Sequence, residues 1–383
     1  MNVLLVMPRA TQRGGAEQLL DILLQNAPAQ GPNFIVVFLE DGPLVQEYRR
    51  AAREVEVIEA GRLRQLSRYV ATVVQLKHLM EEREIHLAFS WMAKAHLYAG
   101  LAASWAGIPA AWYQHGNPTA TSVMDRLITL VPAAGVIACS RHTATAQKEL
   151  WPTRKTAVVY PCVDTTRFNP ERLPPPKEAR EILGLPTEGP LIGIVGRLQR
   201  WKGIHVFVEA MARVFETHPD PYGVIVGGTH DLEPNYPEVV DGLIHKRGVQ
   251  TRILRVGFQK NVPLWMQAMD IVVHASDTEP FGMVVVEAMA LGKPVIAGAE
   301  GGPGEIISHE TNGLLTPFGN PEGLATGIRR LLQDAELTRR IAHAAQQRAL
   351  DFNSKHYARS FSTELRKIIA VPQRHSVVSH QNA

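Results

Sequence analysis

Residues 270–305, DIVVHASDTEPFGMVVVEAMALGKPVIAGAEGGPGE, restrict the fold more than any other stretch. A short apolar run at 271–274 is followed by a loop, a helical span at 282–291, the turn Gly292-Lys293-Pro294 and a second apolar run at 295–297. That order predicts one complete βαβ unit. The helical span has no polar face, because Met283, Val284, Val285, Val286, Ala288, Met289, Ala290 and Leu291 surround it. It is therefore expected to lie on a sheet, beneath other structure.

Glu287 interrupts that run. An ionised carboxylate there is costly unless it meets a donor or points out through a gap to water, and both readings stay open. Glu279 stands eight positions earlier, in the loop that feeds the helix, followed by Pro280-Phe281-Gly282. Gly282 permits close backbone approach, and the open N–H groups of the first helical turn favour an anion. A nucleotide sugar has matching parts, with a diphosphate for the N–H groups and hydroxyls for the carboxylates.

The length of 383 residues suggests two domains, at about 150 residues per core. With 45% hydrophobic and 20% charged residues, the composition is that of an ordinary soluble protein. A net charge of +3 gives no indication of nucleic acid and leaves anionic ligands or a membrane surface open. Only Cys139 and Cys162 occur, with no CxxC, which argues against a disulfide framework or Cys zinc site and fits a reducing, cytoplasmic setting. The opening MNVLLVMPRA lacks a basic n-region and reads as a first strand. The nearest approach to a membrane span, 97–113, is broken by Gly107-Ile108-Pro109, so any membrane contact would be peripheral, at the inner face.

Strands are expected at 3–7, 34–38, 55–58, 87–90, 110–113, 135–138 and 157–159, with helices between them. This alternation means an open parallel sheet whose ligands sit at the carboxyl ends of its strands. After the first strand comes Gln12-Arg13-Gly14-Gly15-Ala16-Glu17, where the glycine pair fits either close approach of a phosphate or sugar, or a tight βα turn. It is not G-x-G-x-x-G, so a dinucleotide site gains no support. Gln114-His115-Gly116-Asn117 places an imidazole at a strand end, where it is structural, exposed or functional. Ser140, in Cys139-Ser140-Arg141-His142, reads as an N-cap. The stretch 62–68, Arg62-Leu63-Arg64-Gln65-Leu66-Ser67-Arg68, is either a solvated loop and helix start or a contact for an anionic acceptor or lipid headgroups.

The Pro-rich segment 169–190 is expected to be a linker between a first domain at 1–168 and a second at 191–350. The second opens with a strand at 191–195 and the turn Gly196-Arg197-Leu198-Gln199-Arg200-Trp201-Lys202-Gly203. Arg197 and Lys202 suit a phosphate pair, or are plain surface charges. The order is not that of a P-loop. Strands at 223–226 and 253–258 follow, then helices at 322–332 and 336–350. A last helix at 355–369 sets Tyr357, Phe361, Leu365 and Ile368 on one stripe, and 371–383 is expected to be disordered.

Glu279-x7-Glu287, with Phe281-Gly282, Glu287-Ala288-Met289-Ala290, Gly292-x-Pro294-Val295-Ile296-Ala297 and Gly301-Gly302-x-x-Glu305, resembles the signature of family 4 glycosyltransferases. The resemblance implies an α/β GT-B fold: two Rossmann-like doubly wound domains facing each other across a cleft, the first completed by helix 355–370. It implies that Glu279 contacts hydroxyls of the donor sugar and Glu287 holds the ribose, with the backbone of Phe281, Gly282 and Met283 near the donor. The family's Gly-Arg-x4-Lys-Gly turn puts Arg197 and Lys202 on the diphosphate. Its Gly-Gly-x-Glu loop brings Gly15 near the diphosphate and sugar, and its strand-end His puts His115 near the reacting region. Tyr160-Pro161-Cys162-Val163-Asp164 resembles the family's Asn-Gly-Val-Asp segment but has Pro161-Cys162 where Asn-Gly is usual.

The implied reaction is retaining hexosyl transfer from a nucleotide-diphosphate sugar to a hydroxyl acceptor, lipid-linked or not, in polysaccharide, lipopolysaccharide or glycolipid synthesis. The departing phosphate itself takes the acceptor's proton. No Asp-x-Asp pair occurs, so neither metal nor cofactor is expected, and Arg197, Lys202 and the helix end at Gly282 supply the electrostatic help. A nucleotide-sugar epimerase, a sugar phosphorylase and a non-catalytic sugar-nucleotide-binding protein remain alternatives on such a fold.

Overall fold

The structure is a computed structural model and describes residues 1–11, 14–51, 54–61 and 63–370. Gln12, Arg13, Arg62 and the tail 371–383 lie outside the described residues. The chain forms two compact units, Met1–Val159 with the chain from Tyr357 onward, and Tyr160–His356.

The first unit is built on seven strands: β1 (Asn2–Met7), β2 (Asn33–Phe38), β3 (Val55–Val57), β4 (Ile85–Ser90), β5 (Ala110–Gln114), β6 (Gly135–Ala138) and β7 (Thr156–Val158). They pair in parallel in the order β3-β2-β1-β4-β5-β6-β7. Val3 to Met7 are wholly buried, as a strand covered on both faces requires. The strand order reverses between β1 and β4, which opens a crevice at the carboxyl ends. Helix Ser354–Ile369 gives this unit its apolar stripe, and the Phe361 ring meets Phe89 at 5.1 Å and Trp91 at 5.4 Å.

The second unit has six parallel strands: β8 (Leu191–Val195), β9 (Tyr222–Val226), β10 (Ile253–Gly257), β11 (Ile271–His274), β12 (Val295–Gly298) and β13 (Leu314–Thr316). Their order is β10-β9-β8-β11-β12-β13. Helix Met283–Ala290 buries Val285, Val286, Ala288, Met289 and Ala290, packing on the sheet and on helix Ala335–Ala349. The β13 strand was not expected from the sequence.

The segment 169–190 corrects the sequence reading. It is no spacer, because the second unit begins at Tyr160 and includes it. Pro176 opens helix Pro176–Leu183, where its missing N–H costs nothing, and Ala179 is fully buried. The Arg180 guanidinium donates to the Ala268 carbonyl at 2.9 Å and pairs with Asp270, whose carboxylate also accepts the Leu191 N–H at 2.7 Å. That network ties the segment to the start of β8.

Candidate functional site

Within the second unit, the candidate residues collect where β8 and β11, neighbours in the sheet, come to their carboxyl ends. Gly203 closes the turn after β8 at φ +69°, and a Cβ there would stand 1.9 Å from the Ala275 carbonyl oxygen. Glycine alone lets this turn settle on the loop leaving β11. The Asp277 N–H then donates to the Trp201 carbonyl at 2.7 Å. This clamp holds Lys202 Nζ 2.7 Å from Glu279 Oε2, with only 14% and 12% of the two side chains exposed. His274 Nε2 lies 3.2 Å from the same oxygen and 3.3 Å from Ser276 Oγ.

Burial alone would raise the Glu279 carboxyl, but the Lys202 ammonium and the His274 hydrogen bond outweigh it and hold the group well below the usual carboxylate range. Glu279 is thus a fixed anion. Lys202 also lies over the Trp201 ring, 4.0 Å from its centroid. Arg197, on the same turn, is exposed.

The Gly301-Gly302 loop lies directly on the backbone of Glu279 and Phe281. The Gly302 N–H donates to the Glu279 carbonyl at 2.7 Å. A Cβ on Gly302 would stand 2.3 Å from Phe281 Cα, and one on Gly301, at φ +80°, would stand 2.2 Å from the Glu279 carbonyl oxygen. The Phe281 ring is buried against Phe352 (5.6 Å) and Tyr160 (5.9 Å), and with Gly302 lying on its backbone the whole residue is buried. Tyr160 in turn donates to Glu305 Oε2 at 2.8 Å. Gly282, at φ +105°, caps helix Met283–Ala290; its carbonyl accepts the Val285 N–H at 3.0 Å, and the N–H groups of Met283 and Val284 have no acceptor within the helix.

Met283, Val284 and Glu287 form the less buried stripe of that helix. Burial raises the Glu287 carboxyl to about 7, and the positive charge of Arg167 opposes this only in part. Glu287 is half-buried, changes charge around physiological pH, and is adjusted by a cation the sequence reading had not selected.

The first unit holds the other two candidates. Gly15 is exposed at the first position of helix Gly15–Gln25, where the Glu17 carboxylate accepts the Gly14 N–H at 2.7 Å and closes the turn. His115 follows β5 between the rings of Trp91 (5.8 Å) and Tyr113 (4.1 Å). Its Nε2 is enclosed without a partner, and burial pushes the imidazole down to about 4. Ser140 accepts the Thr143 N–H at 3.0 Å, which is the capping role.

Three residues of this arrangement were missed in the sequence. His274 and Ser276 were readable in principle, as polar residues at the carboxyl end of an apolar strand. Arg167 faces Glu287 across 120 positions of chain, and no local pattern marks such a pair. Among the described residues, no group of three His, Cys, Asp or Glu side chains is placed to hold a metal ion. No described helix is long and apolar enough to cross a membrane.

Two doubly wound parallel-sheet units, the second with an acid, a base and a capped helix end at adjoining strand ends, place the chain in the GT-B class. The family model described as Glycosyl transferases group 1 matches residues 176–348, and that described as Glycosyltransferase Family 4 matches residues 13–167. The chain belongs to the family 4 glycosyltransferases. A D-inositol 3-phosphate glycosyltransferase of Corynebacterium urealyticum is 32% identical over 58% of this chain and 54% of its own length. The lipopolysaccharide core biosynthesis mannosyltransferase LpsB of Rhizobium meliloti is 31% identical over 56% of this chain and 59% of its own. The matches thus span about half the length of these curated relatives. Among solved structures, Anabaena HepE in complex with UDP-glucose is similar over 96% of this chain and 100% of that one, at 27% identity and a TM-score of 0.82.

Proposed function

We propose that the protein transfers a hexosyl group from a nucleotide-diphosphate sugar to a hydroxyl acceptor, with retention of anomeric configuration and without a metal or cofactor. The observation that carries this reading is the buried contact of Lys202 and Glu279, held together at the strand ends before the capped helix. An ammonium has three donors, so Lys202 keeps two for diphosphate oxygens while one stays on Glu279. Arg197 adds a guanidinium fork, and the N–H groups after Gly282 add the positive end of a helix. These groups stabilise charge as it grows on the departing diphosphate. Glu279, kept ionised, accepts hydrogen bonds from sugar hydroxyls, and Glu287 accepts them from the ribose. Gly15 and His115 are assigned to the donor's phosphate and sugar ends. The absence of Asp-x-Asp supports the metal-independent reading.

HepE binds UDP-glucose, which makes UDP-sugars the first donors to test. The two curated relatives are named for different acceptors, so an acceptor in lipopolysaccharide, polysaccharide or glycolipid synthesis, met at the cytoplasmic membrane face, is the working choice. A panel of UDP-, GDP- and ADP-sugars read by thermal stabilisation and slow hydrolysis identifies the donor. Proton NMR of the product then gives its anomeric configuration. Inversion would overturn the mechanism and make His115 a candidate base; tight donor binding without any turnover would leave a binding protein.

A further inference from the structure

We infer that the acceptor carries an anionic group of the phosphate class, and that Arg9, Arg64, Arg68 and Lys94 receive it; this rests on the transferase reading above. The four side chains line one cavity of about 990 Å³ in the first unit. Its walls come from the carboxyl ends of four adjacent strands: Pro8 and Arg9 after β1, Glu40 and Asp41 after β2, Glu59 to Gly61 after β3, and Met92 and Lys94 after β4. The cavity therefore spans the place where the strand order reverses, the position at which open parallel sheets take their ligands.

Its charges are unequally committed. Glu40 already accepts the Ala10 N–H and the Thr11 hydroxyl, both at 3.0 Å, and Asp41 accepts the N–H of Gly42 at 2.8 Å. Of the lining acids, Glu59 alone is left without such a bond among the described residues. Arg9, Arg64, Arg68 and Lys94 are all exposed, and none of them has an acid within ion-pair distance among the described residues. Against the three lining carboxylates, whose donors are neutral N–H and O–H groups, the four cations leave one positive charge in excess and four heads without an acid partner, which an arriving anion can take up. Leu39, Ala60 and Tyr98, all buried, add apolar surface to the lining. Gly61, at φ +62°, packs where a Cβ would stand 3.0 Å from Arg68 Cδ, which fixes the turn leading to helix Leu66–Glu82 beside the cavity.

The same phosphate chemistry is offered by a soluble phosphorylated polyol and by a lipid headgroup. Binding to the full chain is measured by thermal stabilisation with glucose 6-phosphate against glucose, and by flotation with phosphatidylglycerol against phosphatidylcholine vesicles. The expected result is preference for the phosphate-bearing probe of at least one pair, weakened by salt. The double variant R64Q/R68Q should lose that preference by roughly tenfold or more, and R64K/R68K should recover part of it. Preference for glucose 6-phosphate alone identifies a soluble source, and preference for the anionic vesicles alone a lipid one. Equal binding of charged and neutral probes by the wild-type chain in both pairs overturns the inference. The nucleotide-sugar panel is run on the same preparation, so a chain that prefers phosphate probes but binds no donor counts against the transferase reading alone.

Discussion

Lys202 Nζ and Glu279 Oε2 stand 2.7 Å apart in a largely buried contact that His274 completes from the other side. Removing one partner leaves the other charge without compensation, which costs about 3–5 kcal/mol in buried pairs and less where some water remains. Lys202→Met is therefore expected to lower stability by about 2–4 kcal/mol in denaturant unfolding at pH 7. Glu279→Gln should cost less, because it removes the charge and keeps an acceptor. Donor turnover should fall on the order of a hundredfold or more in both, as for loss of a preorganised electrostatic group. The pH dependence has a defined sign: the Glu279 carboxyl is depressed in the folded state, so its contribution is present above the unfolded value near 4.3 and is lost as pH falls below it. Glu279→Gln should lack that part of the acid limb.

Glu287 behaves in the opposite sense. Burial raises its carboxyl to about 7, so folding is penalised progressively as pH rises from about 4.3 to about 7 and evenly above that. Glu287→Gln should match the wild type at pH 4 and be more stable at pH 8, by on the order of 1–3 kcal/mol. It should also bind nucleotide more weakly, because an amide accepts ribose hydroxyls less strongly than a carboxylate. Wild-type nucleotide affinity should rise between pH 6 and 8, with proton release on binding measurable by calorimetry in buffers of different ionisation enthalpy. A flat affinity profile across that range would detach Glu287 from the ribose.

Much of this was legible because the two sheets are parallel. Wholly apolar runs such as 191–195 and 271–274 announce strands covered on both faces, and their polar ends announce the ligand side. Glu279, Lys202 and Gly282 follow such runs, and the roles expected of them came from the family resemblance. What the chain concealed depends on contacts distant in sequence. Pro174-Pro175-Pro176 reads as a spacer until Arg180 meets Asp270, 90 positions on, and the same holds for Arg167 beside Glu287. His274 was hidden by its own strand, since a single polar residue at the end of an apolar run is also how an ordinary strand stops.

Gly302 has an ordinary φ of −59°, so its requirement for glycine is one of space and not of conformation. A Cβ there would meet backbone atoms of Phe281 at 2.3 to 2.6 Å, and backbone cannot step aside as a side-chain tip does. Gly302→Ala should therefore push the Gly301-Gly302 loop off the Glu279–Phe281 segment and break the Gly302 N–H bond to Glu279. A loss of about 1–3 kcal/mol is expected, the range for overpacking. Donor affinity should fall with it, although the new methyl group carries no charge. Gly304→Ala, where a Cβ would meet the Ala299 carbonyl oxygen at 2.8 Å and nothing of Phe281, is the control: equal loss of donor binding there would dissociate the effect from Glu279.

His115 provides a test that needs no substrate. Its ring is packed between Trp91 and Tyr113, and burial lowers its pKa to about 4 against the partial opposition of a bond to the Trp91 backbone. The imidazole is therefore neutral from pH 5 to 8, and the transfer rate should show no inflection from it in that window. The unfolded chain binds this proton at about 6.5, so native stability should decline as pH falls from there towards 4. His115→Asn should flatten that part of the acid limb while lowering transfer. Imidazole NMR of the wild type should give a titration midpoint near 4 for this ring; a midpoint at the unperturbed value near 6.5 would mean that the ring is solvated and its packed position wrong.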